Sequence, residues 1–130
     1  MDRLPRSPAR RPRRGRLSRS AEFERVYRHG RSHGNRYLVL YSFPRPGVDD
    51  ERAVPRLGLS VSRKVGGAVE RNRIKRMLRE AFDLERESIP AENDIVIVAR
   101  PEAGELAERE GLDGVRTALA ELVQKAASST

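Results

Sequence analysis

Five basic residues, Arg71, Arg73, Lys75, Arg76 and Arg79, crowd the fourteen-residue stretch VERNRIKRMLREAF (69–82). The apolar Val69, Ile74, Met77, Leu78, Ala81 and Phe82 are spaced among them, and only Glu70 and Glu80 oppose the charge. A guanidinium is a planar fork of donors that matches the oxygens of a phosphate. With successive residues about 100° apart around a helix axis, Ile74, Met77, Leu78, Ala81 and Phe82 share one sector. Arg71, Lys75 and Arg79 stack in a line bordering that sector, with Asn72 and Arg76 beside them, and Arg73 points away. Basic groups in a first helical turn oppose the helix dipole, and like charges at i,i+4 repel. Arg71 and Arg73 therefore stand where folding alone favours acids. A phosphate relieves both penalties, and the amides near Gly66, Gly67 and Ala68 are expected to help receive it.

The charge is segregated along the whole chain. It has 130 residues, 27 Lys and Arg against 19 Asp and Glu, and a net charge of +8. Residues 1–16 carry seven Arg against Asp2, or +6, and residues 63–79 carry seven basic groups against Glu70, again +6. Residues 101–130 carry six acids against three basic residues, or −3. Two basic blocks and an acidic end point to a polyanionic partner for part of the surface. The sequence has no Cys, which removes disulfides, thiolate metal sites and cysteine nucleophiles. No apolar run approaches the roughly 20 residues of a membrane helix, and the first residues lack the apolar core of a secretory signal. A cytoplasmic protein with no membrane partner is expected.

The elements that must position the basic segment read as follows. Residues 1–16, with three Pro and almost nothing apolar, are expected to be a disordered basic arm. SRSAEFERVYRHG (18–30) reads as a short helix, capped by Ser18 or Ser20 and ended by Gly30, with Phe23, Val26 and Tyr27 on one face. RYLVLYSF (36–43) reads as a strand, with Tyr37, Val39, Tyr41 and Phe43 on one face and Leu38, Leu40 and Ser42 on the other. Residues 44–55 read as a polar loop. RLGLSVSR (56–63) alternates, with Leu57, Leu59 and Val61 on one face and the small Gly58, Ser60 and Ser62 on the other, leaving room for something to lie across them. The basic helix follows the VGGAV turn and runs to about Arg86. DIVIVAR (94–100) is apolar on both faces, as a covered central strand should be, and Pro101 stops it. Residues 102–112 are ambiguous. From about Asp113, Val115, Leu119, Leu122, Val123 and Ala126 mark a last amphipathic helix. The order helix, strand, strand, helix, strand, helix predicts an α/β protein, a two-layer α+β sandwich. Residues 17–127 form its one domain, with 128–130 a tail. Strands 56–63 and 94–100, joined through the basic helix, form a βαβ unit, and Tyr41 and Ser60 are expected on neighbouring strands.

GLSVSRKVGGAVERNRIKRMLREAF (58–82) resembles the signature of the protein subunit of bacterial ribonuclease P, in which a GLSVSKK-like strand leads through a Gly-containing turn into RNRIKR-L-RE-F. FERVYRHG (23–30), NRYLVLYSF (35–43) and DIVIVARP (94–101) extend the likeness over residues 17–126; Arg63 departs from the usual Lys and keeps its charge. The resemblance implies a fold like the second domain of a small-subunit ribosomal protein, with a left-handed βαβ crossover. Strand and helix patterns alone predict the usual right-handed one. It implies a cofactor protein, one per RNA, that binds a catalytic RNA subunit and the 5′ leader of precursor tRNA. The RNA, using Mg²⁺, would perform the endonucleolytic 5′ maturation. Arg63, Lys64, Arg71, Asn72, Arg73, Lys75, Arg76 and Arg79 would then contact the RNA subunit, and Phe23, Tyr27, Tyr41 and Ser60 would line a leader cleft. No protein catalytic residue and no all-protein metal site is expected.

Two other classes compete. A nuclease would need an acid–base pair, and His29 and His33 are the two histidines available. They flank Gly30 in an expected loop, with no carboxylate placed to orient either. A general RNA-binding or ribosomal module is the other class, since fold does not set function. It lacks the aromatic signature of the common four-stranded RNA-recognition module.

Overall fold

A segment apolar on both faces has to lie where both faces are covered, and residues 95–97 do, while Val98 beyond them is half-buried. The computed structural model describes residues 20–45 and 54–128. The expected arm at 1–16, most of the loop at 44–55 and the end of the tail lie outside the described residues.

The described elements are α1 (Ser20–His29), β1 (Arg31–Gly34), β2 (Leu38–Pro44), β3 (Arg56–Val61), α2 (Ala68–Leu84), a 3-10 turn (Arg86–Ser88), β4 (Asn93–Ala99) and α3 (Glu102–Ser128). The four strands form one sheet in the order β1-β2-β4-β3. β1 and β2 pair antiparallel, as do β2 and β4, whereas β3 and β4 are parallel. β3, α2 and β4 thus make the expected βαβ unit inside a mixed α+β fold.

Two readings change. β4 lies between β2 and β3, so Tyr41 and Ser60 are not on neighbouring strands. Residues 31–34, expected as loop, form an edge strand, and His29 ends α1 while His33 sits within β1. RSHG lacks the apolar alternation that marks a strand. It pairs because a short connection folds it back on β2, where the Asn35 side chain accepts hydrogen bonds from the Tyr37 and Leu38 amides at 3.0 and 2.9 Å. That bend also turns Tyr37 away from the face of Val39, Tyr41 and Phe43. Tyr37 packs on the main core instead.

The main core lies under α2 and α3. Leu38, Leu40, Leu57, Ile95 and Ile97 from the sheet meet Ile74, Leu78, Ala81 and Phe82 of α2 and Val115, Leu119 and Leu122 of α3. α3 starts at Glu102, earlier than its periodicity shows, and breaks at Gly111. Gly111 takes φ 64°, a left-handed conformation that glycine adopts without strain. The sequence expectation of a helix from about Asp113 therefore captured its second segment.

Candidate nucleic-acid interface

α1 lies on the opposite face of the sheet and covers only part of it. Val26 is fully buried against Val96 of β4. Phe23 sits directly over Gly58, where a Cβ would stand 2.5 Å from Phe23 Cζ, so this contact requires glycine. Cα pairing puts Gly34, Val39, Val98 and Ser60 in one row across all four strands, further toward the β3 C-terminus than α1 reaches. Val39, Val98 and Ser60 are only half-buried. This row is an open floor.

Aromatic rings wall that floor. The Phe23 and Tyr27 centroids are 6.5 Å apart, and Tyr27 meets Tyr41 edge-on at 4.9 Å and 87°. Tyr27 remains 39% exposed, so part of its ring is open to a ligand. Of the expected cleft residues, Phe23, Tyr27 and Tyr41 form one continuous aromatic group, and Ser60 lies on the same sheet face beyond them. Phe23 also does the packing work of a core residue.

The floor leads into charge. β3 ends at Val61 and runs through Ser62, Arg63 and Lys64 into α2, whose first residues follow Gly67 with no side-chain cap. Arg63, Lys64, Asn72, Arg73 and Arg76 are exposed, and Arg71, Lys75 and Arg79 are half-buried along the border of the packed face, as the helical wheel places them. Among the described residues, Arg63, Lys64, Arg71, Arg73, Lys75 and Arg76 form no ion pair. Arg71 Nε is buried without a hydrogen-bond partner. One expectation changes here. Glu70 folds back over the turn, its Oε1 3.0 Å from where a Gly67 Cβ would stand. An acid already answers the helix dipole, and its charge opposes a phosphate at those amides.

Residues 12–126 match the family model described as Ribonuclease P. The chain belongs to the ribonuclease P protein family. A Desulfovibrio desulfuricans ribonuclease P protein component is 48% identical over 98 residues, 74% of this chain and 72% of the relative. The ribonuclease P protein from Thermotoga maritima superposes with a TM-score of 0.73 at 34% identity, covering 85% of this chain and 96% of that one. A Staphylococcus aureus ribonuclease P protein mutant, described as having defective mRNA degradation activity, superposes with a TM-score of 0.65 at 33% identity, covering 88% and 92%.

Within this ribonuclease P protein fold, three features escaped the sequence reading. Arg100 follows β4, and its Nη2 would lie 3.5 Å from a Cβ on Gly34, beside Val39. Its guanidinium therefore reaches across the open floor, and among the described residues it forms no ion pair. A basic residue closing the apolar run DIVIVAR was the available signal. The second feature is the fully buried Asp94, gripped by Arg25, Arg45 and Arg56. Its bidentate hydrogen bonds hold the Arg56 guanidinium above its ordinary pKa, whereas burial lowers that of Arg45. One Asp opening an apolar run is a weak sign of such a group. Third, both histidines line a cavity of about 550 Å³ with Arg31, Glu92, Ile89 and Val123. It lies at the Pro44 end of the sheet, away from the basic turn.

No described helix is long and apolar enough to cross a membrane. Among the described residues no three His, Asp or Glu gather as a metal-binding group.

Proposed function

We propose that the chain is the protein component of a ribonuclease P ribonucleoprotein that matures the 5′ end of tRNA. In this reading Arg63, Lys64, Arg71, Asn72, Arg73, Lys75, Arg76 and Arg79 hold the catalytic RNA subunit. The open floor, with Phe23, Tyr27, Tyr41 and Ser60, takes the single-stranded 5′ leader of precursor tRNA, and Arg100 offers its phosphates a counter-charge. The observation that carries the reading is the continuity of the half-covered sheet face, its aromatic wall and the basic turn, whose Arg63, Lys64, Arg71 and Arg73 form no ion pair among the described residues. Stacking on aromatic rings beside a basic track is the general way a protein holds a single strand with little base preference.

Hydrolysis of the phosphodiester is assigned to the RNA subunit, whose Mg²⁺ supplies an activated water. The protein's own part is to bind and orient. The test is reconstitution with the RNA subunit. The complex should release the leader from precursor tRNA, and rigorously RNA-free protein with Mg²⁺ should leave it intact. Leader release by the protein alone would overturn the division of labour.

A second reading is participation in mRNA turnover, favoured by the description of the S. aureus mutant. Incubating RNA-free protein with an mRNA tests it. Cleavage that is lost in a His29→Ala, His33→Ala double variant would support a protein-borne activity, and an intact transcript would exclude one.

A further inference from the structure

α1 carries Phe23 and Tyr27 to the edge of the open floor, yet few apolar contacts hold it there. Among the described residues of α1, Val26 is the fully buried apolar side chain, and contacts of that kind are non-directional. The directional contacts are ionic. Asp94 accepts from Arg56 Nε and Nη2, each at 2.8 Å, which fixes the plane of the guanidinium. The remaining Nη1 donates to Glu22 Oε2 at 2.8 Å. Arg25 of α1 donates to Asp94 directly, and its guanidinium lies 5.2 Å from the Phe43 ring centroid. Arg45 adds a contact to Asp94 at 3.5 Å while donating to the Val54 and Ala91 carbonyls at 3.0 Å.

Glu22 and Arg25 are about one turn apart on α1. Two tethers in that arrangement lie along the helix axis, so rolling or sliding α1 stretches both. Phe23 and Tyr27 occupy the adjacent shoulder and move with any roll. We propose that Asp94 and Glu22 are positioning residues for the leader: through Arg25 and Arg56 they set the roll of α1, and so the separation of Tyr27 from the open floor. This rests on the leader cleft proposed above. Neither carboxylate touches the leader. Both are set back from it beneath α1, and the three guanidiniums and two carboxylates leave only one unit of positive charge there.

The experiment uses the full-length chain reconstituted with the RNA subunit, and reads the ratio of precursor to mature tRNA affinity. Glu22→Gln should lower that ratio about fivefold or more, the lower end of what one base stack supplies, with RNA-subunit affinity unchanged. Asp94→Asn should do the same if it folds, and Glu22→Gln carries the test if it does not. In a Tyr27→Ala background, Glu22→Gln should lower the ratio no further, because the residue through which it acts is gone. Leu122→Ala, in the core under α3, is the control for lost stability alone and should keep the ratio. The proposal falls if Glu22→Gln leaves the ratio intact while Tyr27→Ala lowers it, if the two losses add in full, or if Leu122→Ala lowers the ratio as much. A Tyr27→Ala variant with an undiminished ratio would remove the aromatic cleft itself, and the positioning role with it.

Discussion

Two groups of arginines in this chain are chemically identical and do opposite things. Arg25, Arg45 and Arg56 converge on one buried carboxylate. Arg63, Arg71, Arg73 and Arg76 cluster where β3 passes into α2 and, among the described residues, pair with no acid. The first group is spent on the fold, because removing a partner leaves uncompensated charge inside it. The second has no such carboxylate among the described residues, and Arg71, at the end of the first turn of α2, also opposes the helix dipole, so its charge is available to an outside polyanion. Counting arginines reports a basic protein. Counting their partners separates the arginines that grip Asp94 from those that pair with no acid among the described residues.

Asp94→Ala should give the largest effect. Truncating one partner of a buried ionic group costs about 3–5 kcal/mol, so urea unfolding should show a much lower midpoint. A loss under about 1 kcal/mol would mean that water or rearranged neighbours compensate the guanidiniums, and the contrast between the two groups would dissolve.

Arg71→Ala and Arg73→Ala should invert that pattern. Arg73→Ala, an exposed surface change, should leave stability within about 0.5 kcal/mol, and Arg71→Ala, at a half-buried position, within about 1 kcal/mol. Each should weaken binding of the RNA subunit and reduce its log–log salt slope by roughly one unit for every phosphate left without its arginine. Salt titrations that give the parent slope in both variants would count against the motif as an RNA contact.

Tyr41→Ala sharpens the comparison from the cleft side. It should reduce precursor tRNA affinity by about 1 kcal/mol or more while sparing mature tRNA, with little dependence on the leader base. Because Tyr41 is half-buried against Tyr27, circular dichroism must first show an intact fold. Equal losses for both tRNAs would place the leader elsewhere.

The smallest effect belongs to an arginine in neither group. Arg86 pairs with Asp83 at 2.8 Å in an exposed i,i+3 contact. Arg86→Ala should cost no more than about 0.5 kcal/mol and leave RNA affinity unchanged. A drop in RNA affinity would extend the interface down the far end of α2.

Most of the fold was legible wherever burial imposes a period. β4 reads as covered on both faces, β3 alternates, and the buried residues of α2 are Ile74, Leu78, Ala81 and Phe82, as its helical wheel places them. β1 was not legible, because an exposed edge strand of Arg, Ser, His and Gly buries too little to leave a pattern. The first segment of α3 was obscured by Gly104 and by the break at Gly111. Strand order was hidden for another reason: nothing in Tyr41 or Ser60 announces that a third strand will lie between them. The hand of the β3–α2–β4 crossover is likewise absent from any residue period and came only from the family signature. At the site, residue types were readable because Arg and Tyr advertise their chemistry. The Asp94 network was not, since ionic partners drawn from α1, β3, β4 and the residue after β2 meet only after folding.

The strand order also governs when the cleft can exist. β2 and β3 do not pair with each other, and each pairs with β4. Apart from the β1–β2 hairpin, the sheet is therefore built from contacts distant in sequence, which close late and slowly. A ribosome must deliver residues through Ala99 before Tyr41 and Ser60 share a surface. Until β4 brings Asp94, Arg25, Arg45 and Arg56 lack the buried carboxylate on which they converge, and Glu22 answers Arg56 alone. The strand that joins the two halves of the floor also carries the carboxylate on which those guanidiniums converge, so the aromatic wall and the floor both wait on β4.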